Sequence, residues 1–158
     1  MIRAGIGYDV HKLIKGNGLI IGGITVPSNL ISLGHSDGDA LIHAIIDAML
    51  GAAGLGDIGK YFPSNNEKWK GSPSSVFLKE TIKELEKFGY KINNIDSTIV
   101  LQSPLIADYI SKIINNLSLI MKLSPTQISV KATTTDGLGS IGISEGWSSI
   151  AIVTLSDD

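Results

Sequence analysis

The most constraining feature of this sequence is an apolar helical repeat in residues 39–53, which follows a segment rich in histidine and aspartate. Apolar residues recur there at the spacing of a helix with one buried face: Leu41, Ile42, Ile45, Ile46, Met49 and Leu50. The Asp-Gly-Asp segment at 37–39 can start the helix, and Gly54 can end it. A buried helix at this position carries His43 in its first turns, beside the surface on which it packs.

The rest of the chain alternates between strand-like and helix-like patterns. Strands are predicted at residues 2–11, 19–26, 96–102, 128–135 and 148–155, and helices at residues 73–88 and 105–122. Residues 54–72 are predicted to form a long irregular loop that covers a substrate. The alternation indicates one domain over residues 1–158, of α+β class: an α/β sandwich of ferredoxin-like type, with helices packed on one face of a mixed sheet.

Composition excludes several classes of site and partner. The chain has no cysteine, so a bound metal must take nitrogen and oxygen ligands, and disulfides and thiolate catalysis are excluded. The net charge of −2 gives no electrostatic basis for binding nucleic acid or an acidic membrane. No apolar run approaches the roughly 18 residues of a membrane span. We expect a cytoplasmic protein, or an organelle-matrix protein if a transit peptide has been removed.

All three histidines of the chain lie in its first third, each within a few residues of an aspartate. Asp9 and His11 are two positions apart, so on a strand both side chains project from one face, about 7 Å apart along the chain. His43 could complete an Asp-His-His set, which leaves a fourth tetrahedral position for water or substrate, as catalytic zinc requires. Asp39 or Asp47, on the same helical stripe, could orient the second ring nitrogen of His43.

Each of these residues also has an ordinary structural interpretation. Asp9 could cap a turn, His11 could be a surface residue, and His43 could be a hydrogen-bonded residue beside the core. For any one residue alone that interpretation is favoured, whereas the set as a whole favours a metal site. Spacing in the sequence does not by itself show that the three residues meet.

Two further stretches carry weaker signals. Residues 54–60 contain the dinucleotide fingerprint G-x-G-x-x-G and nearly match a Walker A loop. The fingerprint should follow a strand, however, and this segment follows a helix; Tyr61 also stands where Walker A requires serine or threonine. We interpret them as a turn that presents Asp57. Residues 131–137 place three threonines and an acid at a strand end, where they could hold phosphate oxygens and a cation such as magnesium. The alternative is a β-rich threonine run before an Asp-Gly turn.

Four segments together resemble the 2-C-methyl-D-erythritol 2,4-cyclodiphosphate synthase family. They are Gly-Tyr-Asp-Val-His at residues 7–11, His-Ser-Asp-Gly-Asp at 35–39, Gly-Ala-Ala-Gly-Leu-Gly-Asp-Ile-Gly-Lys at 51–60, and Lys-Ala-Thr-Thr-Thr at 131–135. The match spans almost the whole chain. The resemblance implies an enzyme of the non-mevalonate isoprenoid pathway, a homotrimer of small α/β protomers with active sites at the subunit interfaces.

The resemblance also implies two metal sites. Asp9, His11 and His43 would bind Zn²⁺, and Asp136 would bind a second divalent ion, Mg²⁺ or Mn²⁺. Relatives often carry glutamate at the position of Asp136. Aspartate keeps the charge but is shorter, which favours ligation through water over direct ligation.

The other implied roles concern the substrate. Catalytic contacts with its phosphates would come from His35, Ser36 and Thr134. Substrate binding would involve Asp57, Gly59, Ser64, Ala132, Thr133 and Thr134, with Thr133 and Thr134 from the neighbouring subunit. The chain departs from the family pattern at Leu105, where a lysine is usual, and at Ser140 and Ile143, where an aromatic residue and an arginine line the trimer axis. We therefore do not expect that axial cavity to bind isoprenoid diphosphates.

The implied reaction closes 4-diphosphocytidyl-2-C-methyl-D-erythritol 2-phosphate into 2-C-methyl-D-erythritol 2,4-cyclodiphosphate and releases CMP. The 2-phosphate would attack the β-phosphorus, so the reaction needs no protein nucleophile. Catalysis would come from positioning the substrate and neutralising its charge. Two alternatives are a metal-dependent phosphohydrolase with the same ligands, and a trimeric nucleotide-binding or structural module without activity.

Overall fold

The computed structural model describes residues 1–157 and contains seven strands and five α-helices. The strands are β1 (Ile2–Lys15), β2 (Leu19–Ile21), β3 (Ile24–Val26), β4 (Leu30–Leu33), β5 (Tyr90–Val100), β6 (Ile128–Thr133) and β7 (Gly146–Asp157). The helices are α1 (Ala40–Ala53), α2 (Ile58–Tyr61), α3 (Ser74–Lys87), α4 (Ile110–Met121) and α5 (Gly139–Gly142). Among the described residues, no helix is both long enough and apolar enough to cross a membrane.

Five of the strands form one mixed sheet in the order β4-β1-β7-β5-β6. Strand β1 pairs antiparallel with β4 and β7, and β7 pairs antiparallel with β5. Strands β5 and β6 are parallel, because α4 crosses over between them. The predicted α+β class with a mixed sheet is confirmed. The ferredoxin-like prediction is wrong, because the main elements run β-α-α-β-α-β-β rather than β-α-β-β-α-β.

Several elements differ from their predicted boundaries. The segment 19–26, predicted as one strand, is the β2-β3 hairpin, since Gly22 and Gly23 adopt positive φ and reverse the chain. The predicted loop 54–72 contains α2 and a 3₁₀ turn, Glu67–Trp69. Strand β6 ends at Thr133, so the next threonines of that run lie in the loop after it. The short strand β4 was not among the predictions.

Helix α1 packs on β1 through residues with little or no side chain. A β-carbon added at Gly7 would lie 1.9 Å from the carbonyl oxygen of Ala44, far inside van der Waals contact. At Gly5 the added carbon would lie 2.1 Å from the carbonyl oxygen of Ala48, one helical turn further along. The backbones of the strand and the helix therefore approach more closely than any larger side chain at these two glycines would permit.

The two ends of α1 agree with the prediction. Asp39 is the N-cap: its Oδ1 accepts a hydrogen bond from the backbone N–H of Ile42 at 3.1 Å. Its Oδ2 accepts a second one from Gly23 N–H at 2.7 Å, which ties the β2-β3 hairpin to the start of the helix. Gly54 ends the helix in the left-handed conformation with φ 71°. Nearly every residue of α1 is buried, so the helix forms the centre of the core.

The sheet face opposite the helices is exposed and apolar. Ile6 on β1 and Ile152 on β7 are directly paired there, with 69% and 46% of their surface exposed. Tyr8 and Ile150 form the next pair toward the site, and Val10 follows on β1. A contiguous apolar surface of this kind is typical of a contact with another protein molecule.

We expect Gly7→Ala to lower the free energy of unfolding by about 3 kcal/mol, because the added methyl group must push α1 away from β1. Urea unfolding at a fixed protein concentration measures the change. Gly51→Ala, on α1 itself, is the matched control. Its added carbon meets only the carbonyl oxygen of Ile6 at 3.9 Å, so the helix preference of alanine should raise stability by up to about 1 kcal/mol. Equal unfolding energies for the two variants would contradict the close packing.

Candidate functional site

Asp9, His11 and His43 meet where β1 passes the first turn of α1. The Nδ1 atom of His11 lies 2.8 Å from Oδ2 of Asp9, and Nδ1 of His43 lies 3.3 Å from the same oxygen. Each residue offers a ligand atom that lies within 4.8 Å of the other two. Asp9 and His11 project from the face of β1 that α1 covers, as their spacing predicts. The structure thus brings together the three residues that the sequence grouped.

The three residues fit a divalent cation, because two of their buried atoms lack other partners. Oδ2 of Asp9 and Nδ1 of His11 lie 2.8 Å apart in contact with each other, and among the described residues neither has a hydrogen-bond partner outside the cluster. Buried polar atoms without partners are rare in proteins, since burial removes the water that would otherwise bind them. One carboxylate and two imidazoles are suitable ligands for zinc, and three protein ligands leave a position for water or substrate.

The charges of this cluster depend on one another. Burial raises the pKa of Asp9, but the adjacent His11 and His43 outweigh burial, so its net pKa lies below the usual value. Burial lowers the pKa of His43, but Asp9, with smaller contributions from Asp39 and Asp37, outweighs burial and raises the net pKa. Asp9 is therefore an anion at neutral pH, the state in which a carboxylate binds a metal.

The second ring nitrogen of His43 is held by hydroxyl groups rather than by a carboxylate. Its Nε2 lies 2.8 Å from Oγ of Ser74, the first residue of α3, and 3.3 Å from Oγ of Ser36. Asp39 instead caps α1, and Asp47 accepts the first backbone N–H of α2 at 2.8 Å. The prediction that one of these aspartates orients His43 is therefore wrong, because backbone donors at two helix starts take up both carboxylates.

Sequence reasoning missed Ser74, and the chain offers little signal for it. The residue lies 31 positions after His43, and a serine at the start of a helix is common without any functional role. Its side chain is fully buried, and its hydroxyl also contacts Asp37. Only the packing of α3 against the start of α1 brings it to the histidine.

A cavity of about 310 Å³ opens beside the cluster. Its walls include the three cluster residues and four residues to which the resemblance gives a substrate role: His35, Ser36, Gly59 and Ser64. Asp57 caps α2, where its carboxylate accepts the backbone N–H of Lys60 at 3.0 Å. A larger groove of about 930 Å³ between α3 and α4 contains none of the residues singled out from the sequence.

Aromatic side chains from residues 62–77 form another wall of this cavity. Phe62 stacks on Phe77 with ring centroids 4.7 Å apart, and Trp69 meets both rings edge-on, at 5.1 and 5.7 Å. Lys70 also lines the cavity and brings a positive charge to it. Sequence reasoning predicted a substrate loop here but did not identify Trp69 or Lys70. Their one signal was the presence of aromatic residues in an otherwise polar segment.

Residues 132–136 lie in another part of the sheet. Strand β6 is three strands from β1, a lateral distance of roughly 14 Å. In the loop after β6 the hydroxyl of Thr134 donates to Oδ1 of Asp136 at 3.4 Å, and Asp136 has φ 53°. Within one chain, the structure therefore does not bring Ala132, Thr133, Thr134 and Asp136 to the Asp9 cluster.

Comparison with known proteins bears on the whole chain. A profile of the YgbB family matches residues 2–156. The 2-C-methyl-D-erythritol 2,4-cyclodiphosphate synthase of Clostridium acetobutylicum is 51% identical over 154 residues, which cover 98% of this chain and 99% of that protein. The protein of the same name from Alkaliphilus oremlandii is 48% identical over 154 residues, with 98% of each chain covered.

Solved structures agree with the sequence relatives. A structure described as the CDP complex of IspF from Plasmodium falciparum is 36% identical to this chain and superposes with a TM-score of 0.87. The match covers 99% of this chain and 97% of that one, so it includes the Asp9 cluster and the β6 loop alike. On the full-length profile, the identity to curated relatives and the shared structure, this chain belongs to the YgbB family, that of the 2-C-methyl-D-erythritol 2,4-cyclodiphosphate synthases.

Proposed function

We propose that this chain catalyses the metal-dependent cyclisation of 4-diphosphocytidyl-2-C-methyl-D-erythritol 2-phosphate to 2-C-methyl-D-erythritol 2,4-cyclodiphosphate, with release of CMP. The observation that carries the proposal is the cluster of Asp9, His11 and His43, whose buried carboxylate and ring nitrogens meet beside a cavity, in a chain of this family. CDP, named for the Plasmodium relative, is the diphosphocytidyl part of this substrate. The reaction belongs to non-mevalonate isoprenoid biosynthesis, and the cytoplasm stays its predicted location.

Asp9, His11 and His43 would hold one divalent ion, for which we propose Zn²⁺. When bound, the ion supplies a Lewis acid that withdraws charge from a phosphate oxygen. The protein contributes an anionic carboxylate and two imidazoles that the fold already brings together. The cavity beside them is the space in which a phosphate group can reach the cluster.

The chemical step needs positioning rather than a protein nucleophile. An oxygen of the 2-phosphate forms a bond to the β-phosphorus, and the bond from that phosphorus to the bridging oxygen of CMP breaks. The electron pair leaves with CMP. Because the attacking phosphate is already an anion, His35 and Ser36 would act as hydrogen-bond donors to phosphate oxygens rather than as bases. The aromatic wall would exclude water, which otherwise competes for the β-phosphorus.

The residues near α2 would bind the sugar end of the substrate. We propose that Asp57, the backbone at Gly59 and the hydroxyl of Ser64 hold the erythritol hydroxyls. Gly59 and Ser64 line the cavity next to the cluster, and Asp57 begins the short helix that carries Gly59. This arrangement would turn the 2-phosphate toward the diphosphate and raise the effective concentration of the attacking oxygen.

The loop after β6 would complete the site from a second copy of the chain. We propose that Ala132, Thr133 and Thr134 bind the diphosphate and cytidine end, and that Thr134 stabilises the charge on the leaving group. Asp136 would hold a second ion, Mg²⁺ or Mn²⁺, directly or through water. The support is spatial: this loop lies three strands from the Asp9 cluster in its own chain, so only an assembly can bring the two together.

We propose a homotrimer as that assembly. The support is the apolar face of the sheet, where Ile6 pairs with Ile152 and Tyr8 pairs with Ile150. Helices cover the other face, so this is the surface on which copies of the chain can bury apolar area. Three copies around one axis would place each chain beside two others and form three equivalent sites.

We expect the purified protein to release CMP from the authentic substrate, and we expect a chelator to stop the release until Zn²⁺ and Mg²⁺ are restored. In oxygen-18 water the cyclic product and CMP should carry no label, because a phosphate oxygen of the substrate closes the ring. Mass spectrometry of both products measures this. Label in a phosphate product would mean hydrolysis and would contradict cyclisation.

We expect His43→Ala to reduce bound zinc strongly, because only two protein ligands remain. Zinc affinity should fall by more than the roughly 10- to 100-fold that is lost when a residue hydrogen-bonded to a metal ligand is removed. Metal analysis of the purified protein measures it. His35→Ala is the matched control: it should keep its zinc but release CMP roughly 100-fold more slowly, as for loss of one donor to a developing charge. Unchanged zinc in His43→Ala would refute the ligand assignment.

We expect Ile6→Arg to break the homotrimer, because the charge would be buried in the contact between subunits. Light scattering should show the mass of a single chain, and CMP release should fall with it. Leu119→Arg is the matched control, since Leu119 on α4 is 79% exposed and lies on the helical side of the molecule. A trimer that persists in Ile6→Arg would show that this sheet face is not the contact.

A further inference from the structure

A chain of hydrogen bonds leads from Asp37 through Ser74 to the ring of His43. Oγ of Ser74 lies 2.8 Å from Nε2 of His43 and makes a short contact with Oδ1 of Asp37. Oδ2 of Asp37 accepts the backbone N–H of Ser74 at 3.0 Å. The serine side chain is fully buried, so no water competes for its hydroxyl. Both sides of the hydroxyl are therefore occupied by protein groups.

The direction of these hydrogen bonds follows from the number of protons available. A serine hydroxyl has one proton to donate, and a carboxylate only accepts. Asp37 also accepts the backbone N–H of Asp39 at 3.3 Å, so donors surround its oxygens. Ser74 must then donate its proton to Asp37, and a lone pair of its oxygen is left for Nε2 of His43. That nitrogen must therefore carry the proton.

A proton on Nε2 has a direct consequence for the other nitrogen of the ring. In a neutral imidazole one nitrogen carries the proton and the other carries a lone pair. Metal binding requires the neutral ring, so in the metal-bound state the lone pair of Nδ1 points to the side of Asp9, whose Oδ2 lies 3.3 Å away. This is the form in which a histidine can bind a metal through Nδ1.

The position of Ser74 is itself fixed by the fold. The residue that precedes α3, Pro73, makes no side-chain cap, and Asp37 supplies the missing acceptor from a loop 37 positions earlier. The backbone N–H of Gly71 donates to the carbonyl oxygen of His35 at 3.0 Å and joins the same two segments. Ser36 is a second neighbour of Nε2, but at 3.3 Å it is more distant and it is partly exposed. Ser36 is thus available to substrate while Ser74 holds the ring.

We propose that Ser74, held by Asp37, is a positioning residue that keeps the proton of His43 on Nε2 and directs Nδ1 at the divalent ion. The inference rests on the proposed function, in which His43 is a metal ligand. It assigns different roles to the two aspartates of the Asp-Gly-Asp segment. Asp39 caps α1, which carries the ligand, and Asp37 sets the orientation of the ligand through Ser74.

The first experiment compares the zinc affinity of three variants with that of the parent by competition with a chromophoric chelator. Ser74→Ala removes the hydroxyl and should weaken zinc binding about 10-fold, as loss of an outer partner does. Ser74→Thr keeps the hydroxyl and should bind zinc more tightly than Ser74→Ala. Ser75→Ala removes the half-buried hydroxyl next along α3 and should bind zinc like the parent. Equal affinities of Ser74→Ala and Ser75→Ala would overturn the proposal.

The second experiment locates the proton directly and does not depend on the folding of a variant. In the zinc-loaded parent labelled with ¹⁵N-histidine, the NMR spectrum should show the ring proton of His43 on Nε2, protected from exchange with water. A proton on Nδ1 would overturn the proposal. Zinc content and CMP release of the parent distinguish failure of the proposed metal-dependent function from failure of the role of Ser74. A parent without zinc would contradict the metal site of the proposed function, whereas equal affinities in a zinc-binding parent contradict the role of Ser74 alone.

Discussion

Strand β1 and helix α1 meet backbone to backbone, because Gly7 has no side chain and Ala44 has only a methyl group. The metal cluster depends on the same contact. Asp9 lies two residues beyond Gly7 on the same face of the strand, and His43 immediately precedes Ala44 on the helix. A larger residue at the contact would separate the helix from the strand and move His43 away from Asp9. A substitution that changes the packing of α1 on β1 therefore also changes the geometry of the metal cluster.

The polar groups buried around this contact fall into two kinds. Asp39, Asp37 and Ser74 have hydrogen-bond partners that account for their burial: helix starts, a hairpin and one another. Oδ2 of Asp9 and Nδ1 of His11 have neighbours only within the cluster: each other and His43. Polar atoms on the Ser74 side of His43 thus have partners elsewhere in the fold, whereas those on the Asp9 side have partners only within the cluster, which indicates that a ligand completes the cluster. Burial raises the pKa of Asp39 to about 6, with repulsion from Asp37 adding to it, so even the satisfied carboxylates are costly to bury.

The mixed sheet divides the molecule into two functional sides. Helices α1, α3 and α4 cover one face, on which residues of α1, α2 and α3 line the cavity beside the cluster, and the opposite face remains apolar and open to another chain. The loop that carries Thr134 and Asp136 lies at the far edge of the sheet from the cluster, beyond β7 and β5. In the homotrimer that we propose, the open face would form the contact and the far edge would meet the cavity of a neighbour. Assembly would then be a condition for activity as well as for stability.

The sequence by itself determined helix α1 with both of its ends, the common face of Asp9 and His11, the mixed α+β class and the family. These features follow from the periodicity of apolar residues, from capping residues next to the helix ends, and from family motifs that are contiguous in the sequence. The tertiary structure alone decided that Ser74 holds His43, that Trp69 and Lys70 line the cavity, and that residues 19–26 turn back on themselves to meet Asp39. It also decided that the main elements do not follow the ferredoxin-like order. Each of these depends on residues distant in the chain, and local spacing carries no information about which distant segments pack together.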